Sequence, residues 1–453
     1  MRHELTIDPA YAPSWGLQEA LREFSQNAAD EQDRDPAHAM QVKYTSRGTG
    51  VVTIVSRGVV LDKSVLLLGR TTKEDGRSRG KFGEGLDLAL LAAVRAGHDL
   101  RIENGQETWT PSLEYSAGWG SNVLCVTTRQ LPHPRVDFVV EIRGVSPAAW
   151  DECLRRTLFL PGAVPAGEKV IAVGEQRVLL NRPGAVYVRG LWVGHVSSLV
   201  CGYDLTSLPL DRDRKLVDTW ALRHEMALLW TTAMATQGKE GVDMAARLLE
   251  GDAADTAGLG WLFTGGKQYS PAATEGGTKL AAHFTTKFGE SAVPVSSTSA
   301  SEKARSVGLT PVVMPANMVS ALEGALGQTL AQAVEKAGKV PLRVFTVSEL
   351  GAMGLAARWQ HVRRVAARIG VTCPLSVVET ADPDVLGLYR AADGICLSVA
   401  CLTALAPGLA LVTLAHEAAH AAGAGTHDGN HTANAEHLIE KVIDASIEWD
   451  LDR

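Results

Sequence analysis

LREFSQNAADEQDR, residues 21–34, is the stretch from which the architecture of the first part of the chain follows. Together with the residues before it, this stretch predicts a helix over residues 15–33. The helix has one apolar stripe, formed by side chains at intervals of three and four residues: Leu17, Leu21, Phe24 and Ala28. A stripe of this width has to be buried against another element, so we expect a sheet beside the helix.

The segments that follow predict that sheet. In chain order they are strands 39–44 and 50–56, a helix at about 61–69, a polar glycine-rich loop from Thr71 to Gly80, a helix at 84–96 and a strand meander over about 99–144. Helix, strands and loop followed by a meander predict an α/β sandwich domain of residues 1–145.

The rest of the chain predicts three further parts, which makes the fold class α+β. Residues 146–235 have a helix, several strands and a long helix from about residue 212, as a middle domain. Residues 236–335 are rich in small residues and predict a linker with a small β-α-β unit. Residues 336–453 predict a last domain with a strand, a helix at about 349–369, further strands and two final helices.

The polar face of the first helix has side chains that can act in catalysis or bind a metal ion. Glu23, Asn27 and Asp30 lie at i, i+4 and i+7 and therefore share one face, opposite the apolar stripe. A carboxylate can orient and deprotonate water, and an amide oxygen one turn away can bind Mg²⁺. Taken alone, such a face is also typical of an ordinary solvated helix surface.

A glycine-rich turn follows about fifty residues later. The stretch RGKFGEGLDLALLA places Gly80, Gly83 and Gly85 at the start of a helix. Glycines allow backbone N–H groups to approach a phosphate closely, and a helix N-terminus adds positive potential. The pair of elements predicts a nucleotide site.

Residues 15–145 resemble the GHKL ATPases, the superfamily of gyrase B, the large heat-shock chaperone, histidine kinases and MutL. The resemblance implies that Glu23 activates water, that Asn27 holds Mg²⁺ beside ATP and that Asp30 belongs to the pocket. It implies in the same way that the glycine box and its neighbours contact phosphates and that residues 71–79 form a lid: Gly80, Lys81, Gly83 and Gly85, with Lys73 and Arg79 as further cations.

One element departs from that superfamily. Where its members have Asp-x-Gly-x-Gly after a strand, with the Asp reading the adenine amino group, this chain has Ser56, Arg57, Gly58, Val59 and Val60. Ser56 can accept the same hydrogen bond more weakly than a carboxylate. The resemblance therefore assigns Ser56 and Gly58 to the adenine end of the pocket.

A basic stretch further along completes the predicted ATPase. LPLDRDRK, residues 208–215, resembles the stretch from which the transducer domain of the chaperones presents a cation to the γ-phosphate, and Arg214 matches that position. Arg212 and Lys215 are neighbouring alternatives, and a solvated salt-bridge cluster is the other interpretation. A cation here would stabilise charge on the transferred phosphoryl group.

LAHEAAHAAGAGTHDGNH, residues 414–431, predicts a metal site. His416 and His420 are one helical turn apart and can bind one Zn²⁺, while Glu417 can act as general base on water. His427 is our first choice of third ligand, and the alternatives stay open: Asp428, His431 and Glu436.

Residues 340–453 thus resemble zincin metallopeptidases. The stretch GLYRAADGICLSV, residues 387–399, resembles the antiparallel edge hairpin that binds substrate in those enzymes. The resemblance implies cleavage of a protein or peptide substrate.

Bulk composition sets limits on partners. The net charge of −7 and the pI near 6.0 give no basic footprint for nucleic acid or an anionic membrane surface. The N-terminus does not resemble a signal peptide, and no apolar stretch is long enough to span a bilayer, so we expect a cytoplasmic protein. Its six scattered cysteines predict reduced buried thiols: Cys125, Cys153, Cys201, Cys373, Cys396 and Cys401.

These features predict an ATPase fused to a zinc metallopeptidase, with proteolysis gated by ATP-driven movement. Members of the superfamily often dimerise on binding ATP, so the resemblance also implies a homodimer. Two alternatives remain. One is a chaperone-like switch whose zinc domain only binds clients, and the other is a protease with an inactive ATP pocket.

Overall fold

The chain folds as two compact units, Met1–Met226 and Ala227–Arg453, and both mix helices with β-sheet. The computed structural model describes residues 1–46, 48–66, 85–211, 216, 218–265, 270–404, 406, 408–422 and 436–444. The predicted α+β class is confirmed at this level. The finer division into four domains stays a prediction.

The first unit begins with a seven-stranded antiparallel sheet in the order β1-β6-β5-β4-β7-β3-β2. Its strands are β1 (Arg2–Glu4), β2 (Met40–Thr45), β3 (Val51–Ser56), β4 (Leu100–Asn104), β5 (Glu107–Ser116), β6 (Ser121–Gln130) and β7 (Phe138–Arg143). The helices of this part are α1 (Leu17–Arg34) and α2 (Gly85–Arg95), with a 3₁₀ turn at Lys63–Leu66 between them.

Helix α1 packs against β2, β3 and α2, as its apolar stripe predicts. Leu21 and Phe24 are buried in the core beside Val52 and Ile54 of β3, where every second side chain faces the helix. The predicted helix over 61–69 is only a 3₁₀ turn up to Leu66, and 67–69 lie outside the described residues. The strand pairing of β1 was not predicted, because three residues carry too short a pattern.

Arg95, at the end of α2, holds the irregular segment that precedes α1. Its guanidinium donates hydrogen bonds to the carbonyl oxygens of Pro9, Tyr11, Ala12 and Trp15 at 2.6–2.8 Å. The backbone of Ala12 is left-handed, with φ of 50°. Four carbonyl groups converge on one cation here, so the segment depends on that side chain.

We expect Arg95→Met to lower the free energy of unfolding by about 2–4 kcal/mol, because charge-assisted hydrogen bonds are lost and their acceptors lose a partner. Urea denaturation measures the change. Arg101→Met is the control, because Arg101 is half exposed and pairs at the surface with neighbouring Glu103; its effect should stay within about 0.5 kcal/mol. Equal effects of the two substitutions would contradict an anchoring role for Arg95.

The remainder of the first unit contains a five-stranded sheet in the order β11-β10-β12-β9-β8. The elements of this part are helix α3 (Pro147–Arg156) and the strands β8 (Val170–Val173), β9 (Gln176–Leu179), β10 (Ala185–Val188), β11 (Leu191–His195) and β12 (Gly202–Leu205). The sequence predicts one strand over residues 185–193, but this stretch forms the antiparallel pair β10 and β11, because Arg189 and Gly190 have positive φ angles and turn the chain. Strand β12 is an addition that pairs in parallel with β10. Buried Asp204 in β12 accepts hydrogen bonds from the guanidinium of Arg177 in β9 and from the backbone N–H of Gly190, between β10 and β11. These bonds tie β12 to β9 and to the turn between β10 and β11.

The second unit begins inside a long helix, α4 (Thr219–Thr236), which starts later than the predicted residue 212; residues 212–215 and 217 lie outside the described part. Further helices are α5 (Gly238–Glu250), α6 (Leu259–Thr264), α7 (Pro271–Phe288), α9 (Ala316–Leu326) and α10 (Leu330–Gly338). Strands β13 (Ala292–Val295) and β14 (Thr310–Val313) are parallel and joined by α8 (Thr298–Ser306), so the predicted β-α-β unit is confirmed.

A four-stranded sheet in the order β15-β16-β18-β17 forms the last part. Its elements are β15 (Pro341–Phe345), α11 (Val347–Ala352), α12 (Ala356–Arg368), β16 (Leu375–Thr380), β17 (Gly387–Arg390), β18 (Gly394–Ser398), α13 (Val399–Thr403) and α14 (Leu409–Ala421), with helix again at 436–444. The prediction of one helix over 349–369 was wrong. Gly354 has φ of 71°, which ends α11 and separates it from α12.

None of the helices in the described ranges is long and apolar enough to cross a bilayer. All six cysteines are free thiols, and all but Cys373 are buried. Burial raises the pKa of Cys153 to about 12 and that of Cys401 to about 11, so both stay protonated near neutral pH.

Candidate nucleotide and metal sites

Glu23, the predicted base of the first site, is buried against the start of α2. Its side chain is only 1% exposed and forms an ion pair of 3.1 Å with Arg22. A Cβ atom placed on Gly85 would lie 2.5 Å from Oε2 of Glu23, so the carboxylate rests directly against the first residue of α2. The structure thereby brings two elements together that are about sixty residues apart in sequence.

Asn27 and Asp30 follow Glu23 on the same helix, and their burial bears on the alternative of a solvated face. Asp30 is 4% exposed and Asn27 is half-buried. A solvated helix surface would expose all three polar side chains. The burial of Glu23 and Asp30 therefore argues against a plain solvated surface.

Ser56 ends β3 and shares the buried face of Val52 and Ile54, which is the face covered by helix α1. Its hydroxyl therefore lies on the same side of the sheet as α1. The assignment of Ser56 to the adenine end of a pocket stays a prediction.

The turn after β3 is fixed by a residue that the sequence did not single out. Gly58 has φ of 66°, a conformation that favours glycine, and its N–H donates to Oδ1 of Asp137 at 3.0 Å. Arg57 donates to the other oxygen at 2.6 Å. The backbone hydrogen bond from Gly58 is the main cause that lowers the pKa of Asp137 below its usual range, although burial opposes the shift.

The chain around Leu61, after this turn, is also fixed by hydrogen bonds to a residue of the meander. Leu61 donates its N–H to Oδ1 of buried Asn104, and Asn104 donates its amide to the carbonyl of Leu61, both at 2.8 Å. Asp137 and Asn104 belong to the meander, far from the turn in sequence, so no local pattern could have indicated these contacts. They fix the chain that leads into residues 67–84.

Several predicted residues of this site lie outside the described residues. They are the glycine-box and lid residues Gly80, Lys81, Gly83, Lys73 and Arg79, and the transducer cations Arg212, Arg214 and Lys215. Their assignments stay predictions.

The second site is built on α14, which packs against β17 and β18. His416 and His420 are half-buried, and their ring centroids lie 5.1 Å apart at an interplanar angle of 82°. Two imidazoles one helical turn apart and this close can bind one ion. The predicted pairing of the two histidines on one face is therefore present.

Glu417, between these histidines in sequence, is 6% exposed and lies against the edge strand β17. A Cβ atom on Gly387 would lie 2.5 Å from Cγ2 of Thr413 and 3.0 Å from Cγ of Glu417, so the strand approaches the helix as closely as a bare backbone allows. Sequence reasoning had not assigned Gly387 a role. A glycine in a short strand is the available signal, because it often marks a close backbone approach.

Burial raises the pKa of the Glu417 carboxyl above its ordinary value, whereas His420, the backbone N–H of Tyr389 and Lys339 oppose the shift. The N–H of Tyr389 can reach the carboxylate because of strand pairing. The backbone N–H of Ser398 donates a hydrogen bond to the carbonyl of Leu386. Because backbone groups in an antiparallel pair point alternately towards and away from the neighbouring strand, Gly387 and Tyr389 direct theirs away from β18. Glu417 thus accepts a hydrogen bond at the side of β17 on which the described part of the chain places no further strand.

The third metal ligand is not among the described residues if it is His427, Asp428 or His431. Glu436 is described, but within the described ranges no group of three His, Cys, Asp or Glu side chains comes together to hold an ion. Glu436 therefore does not complete a set with His416 and His420.

No protein-family model matches the chain, and no curated protein gives a significant match.

Proposed function

We propose that this protein is a zinc-dependent metallopeptidase joined to a GHKL-type ATP-binding domain of the Bergerat class, with ATP hydrolysis gating proteolysis. The observation that carries the proposal is the arrangement on α14, where paired histidines flank a buried Glu417 at the open edge of a sheet. The peptidase half rests on this geometry, and the ATPase half rests on Glu23 and Gly85.

The donor set fits zinc. Two neutral imidazoles from His416 and His420 are typical zinc ligands, and a third from residues 427–431 would leave one position open for water or substrate. Bound zinc would supply Lewis-acid activation of water and of the scissile carbonyl. Glu417 would remove the proton from that water and pass it to the leaving amine.

The edge strand supports a polypeptide substrate. The N–H of Tyr389 is used by Glu417, but the backbone groups of Gly387 and the carbonyl of Tyr389 also face away from β18 and can pair with an extended peptide, which would then pass beside Glu417. Side chains of the substrate would be placed alternately on the two faces of the sheet.

The ATPase half has its own support. The carboxylate of Glu23 lies at the N-terminus of α2, the helix that the glycine box precedes, so a phosphate held there would be beside a base. Asn27, one turn further along α1, would bind Mg²⁺, and Asp30 and Ser56 would line the pocket. Arg214 would stabilise charge on the γ-phosphate.

Two measurements on the full chain test the proposal. Metal analysis of protein purified without chelators should give about one zinc per chain, and calorimetric titration with ATP and Mg²⁺ should show binding. Protein that lacks transition metal and cannot be loaded with zinc would refute the peptidase half. Absence of heat on titration with ATP would refute the ATPase half.

A second candidate function is a peptidase whose nucleotide domain only regulates without hydrolysis. Ser56, in place of the usual aspartate at the end of β3, favours it. ATP binding without turnover, together with zinc-dependent cleavage of an unfolded substrate, would support this candidate over the first.

The contact between Gly387 and α14 gives a sharp test of the peptidase geometry. Gly387→Ala should lower cleavage by about 10²-fold while zinc content stays unchanged, because the new methyl group would push β17 away from Glu417. Gly408→Ala is a matched control in the same part of the fold, since a Cβ there meets nothing within 4 Å. Normal cleavage by Gly387→Ala would show that Glu417 does not depend on this contact.

A further inference from the structure

A cleft of about 580 Å³ lies in the first unit, where the end of α3 meets the five-stranded sheet. None of its lining residues belongs to the predicted nucleotide or metal site. Its volume is in the range typical of small-molecule sites. The floor is formed by Ala185, Tyr187 and Trp192, and charged side chains from α3 and two loops form the walls.

Hydrogen bonds within the protein fix the charged residues that line the cleft. Arg182 donates to Glu168 at 3.0 Å, to the carbonyl of Ala163 at 2.6 Å and to the hydroxyl of Tyr187 at 3.1 Å. That hydroxyl in turn donates to the carbonyl of Arg155 at 2.7 Å, which ties the end of α3 to the sheet. A ligand would therefore meet a formed cleft and would lose little binding free energy to its ordering.

The cations of the cleft are paired to different degrees. Arg182 pairs with Glu168, and Arg156 lies within ion-pair distance of both Glu152 and Glu19. Arg155 pairs with Glu152, which it shares with Arg156.

Arg155 is 65% exposed, and its Nε and Nη2 donate to Glu152, which leaves Nη1 without a hydrogen-bond partner among the described residues. This rim of the cleft can accept an anion.

The floor is aromatic. Trp192 is half-buried, and the guanidinium of Arg156 lies 4.9 Å from the centroid of its ring. Buried Tyr187 lies beside it in the neighbouring strand, and His195 closes one end of the cleft. The His195 ring covers Gly184, where a Cβ atom would lie 2.4–2.9 Å from the ring atoms. A flat apolar body fits against such a floor.

We propose that this cleft binds a small aromatic carboxylate, with its ring against Trp192 and its anionic group on Arg155. The aromatic body accounts for the apolar floor and the carboxylate for the remaining donor group, Nη1 of Arg155, which can donate a charge-assisted hydrogen bond to a carboxylate oxygen. The site is distinct from the zinc and ATP sites, so its test does not depend on them.

The test uses 2-naphthoate and uncharged 2-naphthamide as matched probes, titrated calorimetrically into the full chain. Wild type should bind the carboxylate about tenfold more tightly than the amide, because one charge-assisted hydrogen bond distinguishes them. Arg155→Gln should remove that preference and leave the affinity for the amide unchanged. Arg101→Gln replaces a comparably exposed arginine outside the cleft and should leave the preference intact.

Trp192→Leu should weaken both probes alike, and melting curves establish that each variant is folded. Equal affinity of wild type for the two probes, or no binding of either, would overturn the proposal. The same follows if Arg155→Gln and Arg101→Gln bind 2-naphthoate equally well, since the carboxylate would then lie elsewhere.

Discussion

Glu417→Gln should keep about one zinc per chain and lose peptidase activity by a factor of about 10²–10⁴. The amide has the size of the carboxylate and can still accept the hydrogen bond from the N–H of Tyr389, so the packing at the edge strand survives. Gln cannot take a proton, so catalysis fails while the metal stays. Zinc content and cleavage of an unfolded protein are measured on the same sample.

His416→Ala is the matched comparison, since it removes a donor and should lose both zinc and activity. Single substitutions of His427, Asp428 and His431 to Ala then identify the third ligand as the one whose loss releases zinc. Cleavage by Glu417→Gln at the rate of wild type would remove Glu417 from the mechanism.

Glu23→Gln should retain ATP binding and reduce ATP hydrolysis by about 10²–10⁴-fold. Glutamine suits this test because Glu23 is almost fully buried and a smaller residue would leave a void against Gly85. Binding is measured by calorimetry and turnover by phosphate release under saturating ATP.

The control for this substitution is Glu31→Gln, the same exchange two turns further along α1, where the carboxylate pairs with Arg34. It should leave turnover unchanged. Equal hydrolysis by Glu23→Gln and wild type would make Glu23 a structural partner of Arg22 and not a general base.

Much of the fold could be predicted because its patterns are local. The apolar stripe of α1 and the parallel unit of β13, α8 and β14 are encoded by neighbouring residues and were predicted correctly. The helix predicted over 349–369 was wrong because apolar periodicity continues across Gly354, and only its left-handed backbone shows that two helices meet there. A single glycine carries too weak a signal to divide a periodic stretch.

The candidate sites also combine local features, which could be predicted, with long-range contacts, which could not. Spacing within one helix predicted that Glu23 and Asp30, or His416 and His420, share a face, because helical geometry fixes such neighbours. Contacts between distant segments could not be predicted. Asp137 reaches Gly58 across 79 residues, and nothing near either residue indicates the other.

Gly387 also determines how the last sheet assembles. Because side chains alternate between the two faces of a strand, moving β17 by one residue against β18 would turn Leu386 or Leu388 towards α14 at the point where there is room only for a hydrogen atom. A shift by two residues would bring Tyr389 to the same point. The close packing of helix α14 on β17 therefore requires the observed pairing of the hairpin.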